Sequence, residues 1–249
     1  MIGSPLIHVG HLSTRRWILG CLMIQTLLIL CVAPRYCTAQ QHSHFASSVR
    51  ASWTWSTAVG LRVLNVPQDI AEEEINKAPS VDASFALALP ASVDLRTSAT
   101  VQYLTNEFRL GSRWSVGVGS LRMGIANDIS YWFGFMDFEG FDNHIRGMID
   151  YPSVDISFHL DDVASSLRFE GIYVLNQRSF AGELEVGSGK NFLAGWAVTA
   201  MVEQPFIGHT PVYLGARIAF SEFHPQTWFA FSTFKRKLLY SELLVGVLL

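Results

Sequence analysis

Between Val49 and Val63 apolar and polar positions alternate. Odd positions hold Val49, Ala51, Trp53, Trp55, Thr57, Val59, Leu61 and Val63; even positions hold Arg50, Ser52, Thr54, Ser56, Ala58, Gly60 and Arg62. A period of two marks a β-strand with one apolar face. At about 3.3 Å per residue the run is long enough to cross a bilayer at a tilt. The pattern returns at Val154–Leu160, at Phe180–Val186 and at Val212–Phe220. It returns again where Phe192, Ala194, Trp196, Val198, Ala200 and Val202 share one face.

Residues that favour turns fall between the runs: Asn127-Asp128, Asp142-Asn143, Asp161-Asp162, Asn176-Gln177, Ser188-Gly189-Lys190 and His224-Pro225-Gln226. Such residues tolerate left-handed backbone or bond their own main chain. Together the signals predict strands over 47–63, 81–89, 92–105, 113–126, 129–139, 144–160, 165–176, 179–188, 191–203, 210–223, 227–235 and 238–249. That makes about twelve strands, or ten if 81–105 is misread. The fold class is all-β, and the chain closes as a sandwich or an antiparallel up-and-down barrel.

The chemistry of the second face separates these two. A soluble barrel is apolar inside and charged outside. Here one face of each run is large and apolar, while the other mixes Gly, Ala and Ser with charges of both signs. The expected inward charges are Arg50, Arg62, Arg96, Arg122, Arg168 and Arg217 against Asp94, Asp155, Glu170, Glu183, Glu185 and Glu242. A balanced polar lumen inside an apolar wall suits lipid. Phe108, Trp114, Tyr131, Tyr151, Phe206, Phe223, Trp228, Phe234 and Tyr240 stand near strand ends, where interfacial girdles form. A soluble exported sandwich acting as a binding module is the competing reading, because alternation alone suits both.

Residues 1–39 read as a cleavable signal peptide. Arg15 and Arg16 precede an apolar run from Trp17 to Val32, and Cys37-Thr38-Ala39 offers a cleavage site before Gln40. The run is shorter than the roughly twenty residues of a membrane helix. Residues 40–249 then form one barrel domain. Cys21, Cys31 and Cys37 all lie in the leader, which excludes disulfide staples, cysteine zinc sites and a thiol nucleophile from the mature part. The leader holds three of the 18 Lys+Arg and none of the 21 Asp+Glu, so residues 40–249 carry 15 − 21 = −6. An acidic balance argues against a nucleic-acid partner.

The last residues, LLYSELLVGVLL from Leu238 to Leu249, alternate and end on an apolar side chain. They resemble the terminal strand of bacterial outer-membrane β-barrels, although those strands usually end in Phe. The resemblance is to the class, with no specific family, and spans about 40–249. It implies an outer-membrane location, membrane lipid as a partner, and insertion machinery that reads the C-terminal strand. Transport through a narrow pore is the first functional expectation, and a structural or anchoring barrel with a plugged lumen the second.

Catalysis is not expected. A serine nucleophile needs a neighbouring base, and the nearest local pairing is His42-Ser43-His44, in an N-terminal tail. His159 beside Asp161 reads as a lumen hydrogen-bonding residue. His209 and His224 lack a second ligand at metal spacing. No metal or cofactor is expected. Glu72-Glu73-Glu74 lies in the longest connection, 64–80, and reads as a solvated acidic loop.

Overall fold

The computed structural model describes residues 43–48, 50–67, 77–103, 105–138, 141–160, 162–207, 210–224 and 236–249. The leader, the acidic Glu72-Glu73-Glu74 run, His209 and the expected strand 227–235 lie outside these residues. Ten strands account for most of the rest: β1 Trp55–Asn65, β2 Lys77–Leu89, β3 Val93–Gln102, β4 Asn106–Val118, β5 Leu121–Phe138, β6 Phe141–Leu160, β7 Val163–Ala181, β8 Leu184–Ile207, β9 Thr210–Ser221 and β10 Leu238–Leu248. Each pairs antiparallel with its sequence neighbours. β10 then pairs β1, from Ala58 opposite Leu248 to Asn65 opposite Ser241, and the sheet closes into a barrel. Closure removes the unpaired edges that an open sheet would present.

The period-two pattern decides which face goes where. On β1, Ser56, Ala58, Gly60, Arg62 and Leu64 point into the lumen, while Trp55, Val59 and Leu61 point out and are exposed. The exterior is apolar around the wall: Ile125 is 57% exposed and Leu214 is 62% exposed. Charged and small residues line the inside. This is the reverse of a soluble barrel and the arrangement that lipid requires.

The expected turn at Asp161-Asp162 does fall between β6 and β7, where Asp162 is in a turn, but other turns differ from the sequence expectation. The β4–β5 reversal is at Gly119-Ser120, with Gly119 at φ 61°, and the β7–β8 reversal is at Gly182-Glu183, with Gly182 at φ 56°. Glycine is suited to that left-handed backbone. Asn127-Asp128, Asn176-Gln177 and Ser188-Gly189-Lys190 lie inside strands, and Asp142-Asn143 opens β6. The runs 165–176, 179–188 and 191–203 therefore make two long strands, not three. A second correction concerns 47–63. The strand begins at Trp55, because the Thr54 N–H bonds Ala51 O and the Trp53 N–H bonds Ala88 O. Ahead of Trp55, residues 43–48 and Arg50 lie inside the lumen, where they bond inward-facing side chains. A bulge at Ala194, between Ile172 opposite Gly195 and Tyr173 opposite Leu193, is the third departure. It turns Phe192 inward, away from the face it was expected to share with Trp196.

Candidate functional site

The lumen is filled in three layers. Toward the end that carries the β5–β6 and β7–β8 hairpins, Trp132, Ile145, Ile149, Tyr151, Ile172, Val174, Phe223, Leu238 and Tyr240 pack into an apolar core with Leu64, and Phe192 packs against it. Tyr151, Phe223 and Tyr240 were expected on the outer girdle and instead point inward. The Trp132 and Phe223 rings meet edge to face at 5.1 Å. His224 bonds Tyr240 and, at 2.8 Å, Arg236 O.

The middle layer is ionic. A chain of pairs runs Asp82–Arg62 (2.9 Å), Arg62–Glu242 (3.2 Å), Glu242–Arg217 (2.7 Å), Arg217–Glu170 (2.9 Å), Glu170–Arg109 (3.3 Å) and Arg109–Glu107 (2.9 Å). It draws on β2, β1, β10, β9, β7 and β4 and so crosses the lumen from wall to wall. A second group joins Arg96 and Arg168 to Asp128 at 2.6 and 3.6 Å. A third joins Arg50 and Arg113 to Asp94 at 3.0 and 2.8 Å. The Arg109 guanidinium lies 3.8 Å over the Tyr151 ring and ties the ionic layer to the apolar one. Buried charges persist where they are paired, although Arg50 Nε, Arg96 Nε and one Arg168 terminal nitrogen are buried without a hydrogen-bond partner.

At the end where β10 finishes, residues 43–48 and Arg50 form the third layer. Glu203 accepts three backbone N–H bonds, from His44 (2.6 Å), Phe45 (3.0 Å) and Ala46 (2.6 Å). The His44 ring spans Ser56 at 2.8 Å and Ser84 at 2.7 Å. Arg113, fully buried, donates to Phe45 O at 2.6 Å. The Ser47 N–H bonds Ser157 at 2.8 Å, and its hydroxyl bonds Asp155. The Phe45 ring rests on Tyr213 at 4.7 Å. Tyr213 in turn lies flat across Gly60 and Gly246, where a Cβ would collide with its ring or the strand backbone. His44 belongs to this segment and not to a spanning strand. Burial, with Arg50, Arg113 and Arg96 nearby, pulls its pKa down from 6.5 to about 3.

The sequence-predicted charges fall out as follows. Arg62, Arg96, Arg168, Glu170, Arg217 and Glu242 meet in the ionic layer with Asp82, Glu107, Arg109 and Asp128, which the sequence reading did not select. Arg50 and Asp155 hold the N-terminal segment, with Asp94, Arg113 and Glu203. Arg122 is buried at the β4–β5 turn and donates to Gly119 O at 2.6 Å. Glu183 and Glu185 are corrections: both are exposed at the β7–β8 turn, where the hairpin stands clear of the lumen. Among the described lumen residues, eight arginines (50, 62, 96, 109, 113, 122, 168, 217) face eight carboxylates (82, 94, 107, 128, 155, 170, 203, 242). Arg109 and Glu107 were legible in principle, since 107, 109 and 113 alternate with Phe108, Leu110 and Trp114.

Small cavities remain among the described residues. One of about 100 Å³ lies among Arg62, Arg109, Trp132, Tyr151 and Glu242, and one of about 160 Å³ among His44, Phe45, Asp82, Arg96 and Arg168. Both fall below the roughly 300–1,000 Å³ of ligand pockets. No metal-holding cluster of three His, Cys, Asp or Glu occurs among the described residues. The nearest approach to a nucleophile–base pair is Ser43 with His159 Nε2 at 3.3 Å. The other ring nitrogen of His159 is buried without a partner, so no third group orients the imidazole.

No protein-family model matches the chain, and no curated protein matches it. Among solved structures, the translocator domain of the autotransporter NalP from Neisseria meningitidis is similar, with 8% identity and a TM-score of 0.40 over 81% of this chain and 90% of that chain.

Proposed function

We propose that this chain is an outer-membrane β-barrel that works with its lumen closed, as an anchoring or structural subunit of the envelope. In this reading residues 1–39 export the chain and are removed. The C-terminal strand β10, which closes the barrel against β1, is what the insertion machinery engages. The chain is not an enzyme: Ser43, His44 and His159 act as hydrogen-bonding residues that pack the lumen. The observation that carries the proposal is the wall-to-wall chain from Asp82 to Glu107, stacked between an apolar core and the docked N-terminal segment. Ten strands enclose a narrow interior, and these three layers occupy it.

Planar-bilayer recording of the refolded chain tests this. The account expects no single-channel steps in 0.1 M or 1 M KCl, and unitary steps from the full chain would overturn it. A transport reading is favoured by one feature: the layer at the end where β10 finishes is made of residues 43–48 and Arg50, which can leave without breaking a strand. Deleting 43–50 decides between the two. The structural reading expects continued silence, because the ionic layer still closes the lumen. Steps appearing only on deletion would establish a gated channel.

A further inference from the structure

Among the described residues, a group of outward-facing cations stands on the wall beyond its apolar belt. Arg146 on β6 and Arg178 on β7 are directly opposed in the ladder, both facing out and both exposed. Like charges directly opposed across strands destabilise a sheet. Lys190 on β8, opposite Asn176 on β7, adds a third exposed cation on the same face. The compensation available is slight: Glu185 reaches Arg178 only at 3.9 Å, with both side chains more than 40% exposed. Glu185 and Asp142 also stand farther out, beside the hairpin turns.

The position of the cluster is set by its neighbours. Arg146 is opposite Phe133 on β5, whose ring stacks on Tyr131 at 5.6 Å, and Met148 is the next outward residue on β6. On the other side the Arg146 guanidinium lies 5.2 Å from the centre of the Phe180 ring, which stacks on His144 at 4.5 Å. Arg146 is thus held on an aromatic ring at the edge of the apolar belt, beside Arg178 and Lys190, at the end of the barrel that carries the β7–β8 hairpin. A lipid headgroup meets the wall at that height. Two guanidinium forks side by side match a phosphate, which accepts bidentate donors and carries the charge they lack.

We propose that Arg146, Arg178 and Lys190 form a lipid-phosphate site, binding the phosphorylated headgroup of a lipid in the leaflet at that end of the barrel. The inference rests on the barrel being membrane-inserted. The acyl chains lie along Met148 and the Tyr131–Phe133 pair, and Phe180 presents Arg146 to the phosphate. Basic residues at a membrane surface bind anionic lipid additively, so losing two of the three weakens retention on the order of twentyfold.

The test uses the refolded chain in nanodiscs of phosphatidylcholine containing a tenth of either phosphatidylglycerol or lipid A. Lipid retained through detergent extraction is counted by native mass spectrometry. Wild type should retain the phosphorylated lipid, and R146Q/R178Q should lose it about twentyfold while keeping the gel shift between unboiled and boiled protein. K77Q, an exposed cation elsewhere on the rim, should change nothing. Equal retention by wild type and R146Q/R178Q overturns the site. Displacement of the lipid by 10 mM inorganic phosphate overturns lipid as the source and leaves a soluble-anion site. Failure of wild type to enter either nanodisc with a gel shift refutes membrane insertion itself, a result distinct from losing the site.

Discussion

Removing the Glu203 carboxylate should release the N-terminal segment while the barrel stays closed. Its two oxygens accept the three N–H bonds of His44, Phe45 and Ala46. A hydrogen bond to a charged group contributes about 1.5–3 kcal/mol. The three share one acceptor, and the freed N–H groups regain water when the segment leaves, so their sum overstates the effect. A loss of about 3–5 kcal/mol for E203A is the reasonable scale, at least a hundredfold in the opening equilibrium. E203Q keeps one acceptor oxygen and should fall between. Residues 40–249 contain no cysteine, and the Ser48 hydroxyl is buried without a partner, so S48C is a near-isosteric reporter. Its rate of maleimide labelling follows segment opening. E203A should raise that rate at least a hundredfold with the heat-modifiable gel shift intact. An unchanged rate in a folded barrel would refute the role assigned to Glu203.

Further consequences follow from the same layers. Released His44 has its ordinary pKa of 6.5 and docked His44 about 3. Protons are therefore taken up on release, and docking is complete above pH 6.5 and weakens as pH falls below it. Between pH 7.5 and 5.0 the S48C labelling equilibrium should rise about thirtyfold, and H44Q should abolish that part of the rise. R113M leaves Asp94 with Arg50 alone and strands Phe45 O, and should cost about 3–5 kcal/mol in urea titrations. L214R places a charge on the outer wall, where a lipid-facing site costs about 2–4 kcal/mol near the midplane. In a soluble barrel the same exposed site would shift stability by only about 0.5 kcal/mol.

The wall was largely legible in the sequence because a barrel apolar outside and polar inside imposes the same alternation on every strand. Val154–Leu160 and Val212–Phe220 show it without interruption. Where sequence reading failed, a polar residue had a partner that is distant in the chain. Asn127-Asp128 looks like a turn, yet Asp128 faces the lumen to hold Arg96 and Arg168. Asn176 and Ser188-Gly189-Lys190 look like turns because the β7–β8 hairpin continues beyond the apolar belt, where polar residues cost nothing. The inner charges were half visible. Arg62, Arg217 and Glu242 stand out against apolar neighbours, but Glu203 sits at the end of an apolar run and reads as its boundary. Least visible was the segment 43–50. Its alternation from Val49 onward mimics the start of β1, and only the tertiary bonds to Glu203, Asp155 and Asp94 show that it folds inward. One of the twelve expected strands was lost to the merging of runs across β7 and β8, and the expected strand 227–235 lies outside the described residues.

Spin labels placed singly at each position of β5, from Leu121 to Met136, test the closed membrane barrel most directly. Collision rates are read in bilayers with oxygen, which partitions into lipid, and with a water-soluble nickel chelate. The account predicts a period of two: odd positions such as Met123, Ile125 and Ile129 collide with oxygen, and even positions such as Ala126, Asp128 and Ser130 with neither reagent. Nickel collisions at the even positions would show an open aqueous lumen, and nickel collisions at the odd positions would show a wall that does not face lipid. Either result would contradict the account.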